Sequence, residues 1–235
     1  MTLLALEHVS RCRRHGAHEH ILLSDVSLEV HGGELVAIWG MRRCGRSTLL
    51  RVAAGIEPPD AGVVCFRGRE LSGGPDALGS GIGYCRRGGR GDEARGVLDE
   101  LVVAELARGV PGERARAHAL QTLARVGATG SAVFAPHDLD AAESVRVALA
   151  RALMSGPSLL LVDDPIRGVD LAQRDEILML LRSLADEGIA VLMATDDATG
   201  LSGADRALSL SGGVLRGEHA PKLAPVVPLR RAAGA

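Results

Sequence analysis

The stretch GMRRCGRST, residues 40–48, follows the apolar run ELVAIW and leads into a helical pattern. Its two glycines are separated by four residues, and a charged residue, a serine and a threonine follow the second glycine. Glycines let a backbone wrap around an anion, free N–H groups at a helix start attract negative charge, and a serine hydroxyl can ligate magnesium. The stretch therefore predicts a phosphate-binding loop, although Arg46 stands where such loops carry lysine.

Short aliphatic runs bounded by Gly or Asp surround this loop, at 34–40, 159–164 and 189–195. Such runs are typical of buried strands in a mostly parallel sheet. Helical patterns at 46–54, about 141–155 and 171–186 lie between or beside them. This alternation predicts an α/β core.

Other segments differ in pattern from this core. Residues 3–30 carry shorter alternating runs, which favour a flanking antiparallel sheet, and helices are expected to fill 97–127 after a Gly/Arg loop at 86–96. The tail 218–235 combines small residues and prolines without a period, so we expect it to be disordered. The predicted domain is 1–217, with a core at 1–86 and 151–217 and a helical subdomain at about 87–150.

Composition narrows the class of protein. The 235 residues are 46% hydrophobic, yet no apolar run is long enough to span a bilayer, so we expect a cytosolic protein. The four cysteines form no Cys-x-x-Cys pair, which argues against a zinc site or a disulfide framework. A net charge of -2 gives no reason to expect nucleic acid as a partner. Lys222 is the only lysine among 27 basic residues, so compositional drift alone could explain Arg46.

Several motifs occur in a fixed order: ILLSDVSLEVHGGELVAIWG, IGYC, VRVALARALMSGPSLLLVDDP, GVD, VLMATDD and ADRALSLSGGVLRG. In this order the chain resembles, over about residues 3–217, the ATP-binding subunit of an ABC transporter. It is most similar to the short ATPases of the lipoprotein-releasing and macrolide-exporter type. The resemblance implies a P-loop NTPase (RecA-like) fold, with ATP and Mg²⁺ as cofactors.

The resemblance also implies a role for individual residues. The candidate nucleotide-binding residues are Gly40, Arg43, Cys44, Gly45, Arg46, Ser47, Thr48 and, at the position of the family's adenine-stacking aromatic, Arg13. Ser47 and Asp163 correspond to the magnesium ligands, and Asp170 to the D-loop aspartate. Six of the positions depart from the family: Arg13 replaces the aromatic, Arg43 a glycine of the phosphate loop, Arg46 the lysine, Arg87 the Q-loop glutamine, Asp164 the catalytic glutamate and Asp196 the switch histidine.

The signature segment departs from the family as well. The family sequence Leu-Ser-Gly-Gly-Gln reads LDAAE at 139–143. In the family this segment donates a serine hydroxyl and glycine N–H groups to the γ-phosphate held by the opposite chain of a dimer. Asp140 would place a negative charge there, and Ala141 and Ala142 would place methyl groups where backbone must approach closely. ATP-driven closure of the dimer should be weakened.

Three functions stay open from the sequence. The preferred one is an ABC-type nucleotide-binding subunit with little or no hydrolysis. The second is an active ATPase that uses Arg46 as phosphate clamp and Asp164 as base, and the third is a scaffold that docks a permease without nucleotide. In each case the expected partners are a transmembrane permease and a second ABC ATPase, identical or different, at the inner face of the cell membrane. A metal site at His15, His18 and His20 is the weaker interpretation of HGAHEH.

Overall fold

The computed structural model describes residues 1–15, 18–71, 81–86 and 95–219. The strands, in chain order, are β1 (Thr2–His15), β2 (His18–His31), β3 (Leu35–Trp39), β4 (Ala61–Phe66), β5 (Arg69–Glu70), β6 (Ile82–Arg86), β7 (Leu159–Asp163), β8 (Ala190–Thr195), β9 (Arg206–Ser211) and β10 (Val214–His219). The α-helices are α1 (Arg46–Ala53), α2 (Val97–Ala107), α3 (Gly112–Arg125), α4 (Ala141–Leu153) and α5 (Leu171–Asp186). Short 3-10 helices occupy Thr129–Val133, Pro136–Asp138 and Ala198–Leu201.

The larger sheet has the strand order β10-β9-β3-β8-β7-β6. Strands β9, β3, β8, β7 and β6 run parallel, and β10 joins the edge in the antiparallel sense. Burial on both faces explains why β3, β7 and β8 read as continuous aliphatic runs. The α/β core predicted from the sequence is confirmed.

The N-terminal residues form the predicted flanking antiparallel sheet, in the order β2-β1-β4-β5. Strands β1 and β2 make a long hairpin whose register shifts at several points. The shifts bend the hairpin, because each irregularity adds local twist to the strand. The hairpin thereby reaches over the phosphate-loop region.

Two apolar clusters lie on opposite faces of the larger sheet. Strand β7 divides its side chains between them: Leu159 and Leu161 belong to the cluster with the antiparallel sheet and α1, whereas Leu160 and Val162 face α4 and α5. This division follows from the alternation of side chains along a strand. The sheet is thus covered on both faces, and its functional residues are left at the carboxyl ends of the strands.

The helices match the sequence pattern closely. Helix α5 has the predicted bounds. Helix α1 ends one residue before its predicted end, and α4 ends two residues before its own. Helices α2 and α3 fill most of 97–127. None of the helices in the described ranges combines the length and the apolar character needed to cross a bilayer. The division into a core and a helical subdomain remains a prediction. The tail from 220 onward, Arg87 and most of the Gly/Arg loop lie outside the described residues.

Candidate functional site

Strand order brings three loops together at one edge of the larger sheet. Strands β3, β8 and β7 are neighbours, with Trp39 opposite Thr195 and Asp163 opposite Ala194. Their carboxyl ends lead directly into the phosphate loop, into Asp196 and into Asp164. In open α/β sheets ligands bind at this edge, in the crevice beyond the strand ends. Residues far apart in the sequence therefore meet where the phosphate loop was predicted.

The loop itself depends on its second glycine. Gly45 has a φ of 107°, and a Cβ atom added there would lie 2.1 Å from the carbonyl oxygen of Leu22. Gly40 is equally confined, because a Cβ atom would lie 2.5 Å from the carbonyl oxygen of Leu210. Arg43, where the family has glycine, keeps a positive φ of 65°. Arg43 thus adopts a backbone conformation that favours glycine.

A cleft of about 500 Å³ opens between the hairpin and the first turn of α1. Its lining consists of Arg13, His20, Ile21, Leu22, Arg43, Cys44, Gly45, Arg46, Ser47, Thr48 and Arg51. Four of these are arginines, and none of the described lining residues is acidic. The cleft is therefore suited to a polyanion, and it unites Arg13 with the phosphate loop as the resemblance implied.

Arg46 is held by two carboxylates. Its side chain is only 6% exposed, Nη1 donates a 2.9 Å hydrogen bond to Asp164 Oδ1, and Nη2 lies 3.7 Å from Asp196 Oδ2. Arg42 adds a second, more exposed cation 3.8 Å from the same Asp196 oxygen. The three positions that replace the family's lysine, glutamate and histidine are thus joined in one ion-pair cluster.

Ser47 and Asp163 form a separate pair beside this cluster. The Ser47 hydroxyl donates to Asp163 Oδ1 at 3.0 Å, and the Tyr84 hydroxyl lies 3.4 Å from Asp163 Oδ2. Burial and the nearby Asp163 carboxylate raise the pKa of Tyr84 to about 12, so its hydroxyl stays protonated and can donate. A hydroxyl beside a carboxylate offers the hard oxygen donors that Mg²⁺ prefers. A second cleft of about 320 Å³ is lined by Ser47, Arg86, Asp163, Asp164 and Arg167.

The charge state of Asp164 reflects competing influences. Burial raises its pKa above the ordinary value, and the Asp196 and Asp163 carboxylates add in the same direction. The Arg46 guanidinium opposes this rise by favouring the charged form. Asp164 also has a positive φ of 50°, which aspartate tolerates better than most residues. Asp164 is thus a partly buried carboxylate that already accepts a hydrogen bond from a cation.

The signature position begins α4. Asp140 Oδ1 accepts a 2.8 Å hydrogen bond from the Glu143 N–H, and Glu143 Oε2 accepts a 3.0 Å bond from the Asp140 N–H. This is a complete capping box. The D-x-x-E pattern at 140–143 indicates a capping box, but this cap was not predicted from the sequence. An internal carboxylate satisfies the helix end where the family presents a serine.

Asp170 occupies the corresponding place at the start of α5, without a side-chain hydrogen bond to cap that helix. Next to the switch position, Asp197 Oδ2 accepts a 2.6 Å bond from Arg174 Nη1. Hydrogen bonds from the Thr199 N–H and hydroxyl, together with Arg174, lower the pKa of Asp197. Asp197 is therefore tied to α5, whereas Asp196 faces the arginine of the loop.

Other members of this site were not predicted from the sequence. Arg51 lines the cleft one turn beyond the loop; its Nε donates to Glu57 at 2.7 Å and its Nη2 to Thr48 at 3.1 Å. Tyr84 belongs to the motif IGYC, but no role at the site was predicted for it. His20 lines the cleft, and the side chains of His15 and His18 lie outside the described residues. Among the side chains that are described, no group of three or more His, Cys, Asp or Glu could hold a metal.

The comparisons with curated proteins agree on one family. A family model described as ABC transporter matches residues 23–167. The lipoprotein-releasing system ATP-binding protein LolD of Chromohalobacter salexigens is 33% identical over 219 residues, 91% of this chain and 92% of LolD. The macrolide export ATP-binding/permease protein MacB of Salmonella typhimurium is 31% identical over 90% of this chain. This chain spans only 33% of that MacB protein.

Solved structures give the same fold. The dimeric structure of MJ0796, a bacterial ABC transporter cassette, has a TM-score of 0.85 at 25% identity and covers 93% of this chain and 98% of its own. The same cassette in a post-hydrolysis dimer with ADP and Pi also has a TM-score of 0.85, at 24% identity. At this identity the likeness shows the fold alone. With the strand order and the phosphate loop, these likenesses confirm the predicted P-loop NTPase fold. The chain belongs to the ABC transporter family and forms its ATP-binding cassette.

Proposed function

We propose that this chain is the nucleotide-binding subunit of an ABC transporter that binds nucleotide but hydrolyses ATP slowly or not at all. The observation that carries the proposal is the hydrogen bond between Arg46 and Asp164. It joins the group expected to hold phosphate to the group expected to activate water. Because Arg46 and Asp164 are bound to each other, Arg46 is not free to hold phosphate and Asp164 is not free to activate water, although hydrolysis would need both.

Nucleotide binding is supported by the cleft and by the loop. The first turn of α1 presents backbone N–H groups, Gly45 permits a close approach, and four arginines line the cleft. Gly40, Arg43, Cys44, Gly45, Arg46, Ser47 and Thr48 would hold the phosphates, and Arg13 would lie against the base. A guanidinium can stack on a base, although it does so differently from an aromatic ring.

Magnesium binding is supported by one preserved pair. Ser47 and Asp163, 3.0 Å apart, would hold Mg²⁺ together with phosphate oxygens and water. The metal would neutralise phosphate charge and hold the phosphate chain in place. This pair is the observation that most favours the alternative, an active ATPase, because it retains the family's metal-binding residue types.

Weak hydrolysis is supported by the residues around that pair. Asp164 is one methylene shorter than glutamate, which reduces its reach toward an attacking water, and Arg46 already occupies one of its oxygens. Asp196 brings a second negative charge where the family has histidine. Arg87, at the Q-loop position, lies outside the described residues, and its effect remains a prediction from the sequence.

The partners are inferred from the names of two relatives. LolD is named as the ATP-binding protein of a releasing system, and MacB combines ATP-binding and permease parts in one protein. By analogy, this chain would dock on a transmembrane permease and pair with a second ABC ATPase at the cytoplasmic face of the membrane. Residues 1–217 would form the cassette, and the tail would lie outside it.

A two-part experiment separates the three candidate functions. Binding of a fluorescent ATP analogue is titrated with the full chain, and Mg²⁺-dependent phosphate release is then measured on the same preparation. Binding without release supports the proposal. Binding with steady release would show an active ATPase, and a folded chain that binds no nucleotide would show a scaffold.

A further inference from the structure

We infer that two copies of this chain associate without nucleotide as a two-fold symmetric pair, in which Asp140 of each copy contacts Arg43 of the other. The inference rests on the proposed function, which pairs this chain with a second ABC ATPase. It names a second copy as that ATPase and assigns the contact to two oppositely charged residues. In such a pair both chains use the same surface, and each contact occurs twice.

Both residues lie at the same edge of the larger sheet. Strand β3 ends at Trp39 and leads directly into the loop that carries Arg43, so Arg43 lies at the carboxyl-end edge. Helix α4 runs the opposite way, because its last turn packs against the beginning of β6, where a Cβ atom on Gly83 would lie 2.8 Å from the carbonyl oxygen of Ala152. Its 13 residues span about 20 Å. Asp140, which caps the other end, therefore lies toward the carboxyl-end edge as well.

The two residues are offset sideways along this edge. The phosphate loop follows β3, whereas α4 packs against β6. Strands β8 and β7 lie between β3 and β6, so the offset is three strand spacings, or about 14 Å in the plane of the sheet. A two-fold axis that passes between the two positions turns Asp140 of a second copy toward Arg43 of the first, and the reverse. The layout of one chain thus suits a symmetric pair.

Neither charge is neutralised by a partner of opposite charge within the described part of the chain. Asp140 is exposed, and one of its oxygens caps α4, but no described basic side chain pairs with it. Arg43 is exposed too, and its side chain forms no hydrogen bond or ion pair with another described residue. Asp138 and Glu143 make the surroundings of Asp140 acidic, although His137 lies 3.6 Å from Asp138. Arg43 lies in the larger cleft, whose described lining is cationic. The two surfaces are therefore opposite in charge.

Other charged groups at this edge do not reverse the contrast. Arg42 and Arg46 form ion pairs with Asp196, and Arg46 also pairs with Asp164. The smaller cleft combines two arginines with two carboxylates, namely Arg86, Arg167, Asp163 and Asp164. Asp170 adds an exposed carboxylate at the start of α5. Arginines and carboxylates thus nearly balance between the two patches, and the opposite charges of Arg43 and Asp140 remain.

Charge favours a second copy over an ABC ATPase with the usual signature. Exposed ion pairs add little to affinity, but opposite charges select a partner and like charges exclude one. A signature serine on a different ATPase would offer Arg43 no anion, whereas a second copy offers two contacts with Asp140. Exposed apolar side chains near each patch in the sequence, Met41 and Val133, supply contact area that ion pairs lack.

The test is light scattering by the full chain in EDTA, freed of nucleotide, over a range of chain concentrations. At low salt the molar mass should approach twice the 24.5 kDa of one chain, and high salt should return it toward one chain. Asp140→Arg and Arg43→Glu should each raise the dissociation constant of the pair at least about tenfold. Each reversal has this effect because it makes both contacts of the symmetric pair repulsive.

An equimolar mixture of the two variants gives the sharpest result. In a mixed pair the two reversed residues face each other, and the unchanged Asp140 and Arg43 face each other. Both contacts are then attractive, so the mixture should form pairs although each variant alone does not. A mixture that stays monomeric, from two folded variants, would overturn the inference.

A matched control lies at the opposite edge of the sheet. Asp186→Arg makes the same change of charge, but Asp186 ends α5 just before β8 begins, so the dissociation constant should stay unchanged. Thermal melting of each variant shows that it is folded, which matters because Asp140→Arg removes a helix cap. An unchanged chain that stays monomeric at low salt would overturn the inference. The proposed function is judged separately, by nucleotide binding and phosphate release.

Discussion

The Arg46 guanidinium donates a 2.9 Å hydrogen bond to Asp164 Oδ1, and the same side chain lies within 3.7 Å of Asp196. Each of these residues departs from the family pattern when it is read alone. Together they form a partly buried group in which one cation faces two carboxylates. Arg46 therefore offsets the negative charge of both carboxylates.

Removal of the Arg46 side chain should destabilise the protein. Arg46→Ala would leave two carboxylates without their main cation, and the loss of a charged hydrogen bond of this kind costs about 1–3 kcal/mol. The free energy of unfolding in urea at pH 7 measures the effect. Arg46→Lys, which keeps the charge but not the two-sided contact, should lose less. An Arg46→Ala variant as stable as the unchanged chain would show that the cluster contributes nothing to the fold.

The phosphate loop should not tolerate a side chain at Gly45. Gly45→Ala combines a positive φ with a Cβ atom 2.1 Å from a carbonyl oxygen, so the loop or strand β2 must shift. Gly109→Ala is the control, because Gly109 has a φ of 83° but open space around it. The control should cost about 1–2 kcal/mol from the backbone conformation alone. We expect Gly45→Ala to lower the melting temperature more than Gly109→Ala does, and to abolish nucleotide binding. Equal falls in melting temperature for the two variants would refute the steric argument.

Asp140 should control whether ATP can draw two chains together. In a chain that carries Asp164→Glu, the changes Asp140→Ser, Ala141→Gly and Ala142→Gly should produce an ATP-dependent dimer, because serine keeps the helix cap and removes the charge. Light scattering with and without ATP measures the dimer. Asp140→Asn, which can also cap α4, is the control for charge alone. If the triple change yields no dimer from a folded chain, charge at Asp140 is not the barrier to closure.

Stability should fall in acid through Asp205. Burial raises the pKa of this carboxyl, but hydrogen bonds from Arg182 and from the Leu35 N–H outweigh burial and hold the pKa below its ordinary value of 3.8. A lowered pKa contributes stability above the ordinary value, and this stability is lost as the pH falls through the folded pKa. Asp205→Asn should therefore flatten the decline of unfolding free energy below about pH 4.

The control for this decline of the unfolding free energy in acid is Asp186→Asn. Asp186 pairs with the same Arg182 at 2.9 Å, but its side chain is 66% exposed. Solvent screens such a pair, so Asp186→Asn should change the decline of the unfolding free energy in acid less than Asp205→Asn does. Indistinguishable pH profiles for the two variants would contradict the special role of Asp205.

Much of the fold could be predicted from the sequence because its signals are local. Runs such as LLLV at 159–162 are buried on both faces, and the pattern of α5 places Ile177, Leu178 and Leu181 on one apolar face. Periodicity of this kind needs no knowledge of distant contacts. The order of motifs then supplied the family, which the comparisons confirm.

The site was predicted as a set of positions but not as a set of contacts. Nothing in the sequence near Arg46 indicates a pairing with Asp164, which lies 118 residues away. That contact arises because β3, β8 and β7 are adjacent in the sheet, and strand order is a non-local property. The capping box of Asp140 and Glu143 is different, because its D-x-x-E pattern is local and can be predicted from the sequence.

The most direct test of the central claim is steady-state phosphate release by the unchanged chain with saturating ATP and Mg²⁺. Ser47→Ala is measured beside it, because loss of this proposed magnesium ligand should abolish turnover at this site but not that of a contaminant. We expect the unchanged chain to release phosphate at or only slightly above the rate of the buffer control, and Ser47→Ala to release it at the buffer rate. Steady, rapid release by the unchanged chain that disappears in Ser47→Ala would show that this site is an active ATPase, and would contradict the proposed function.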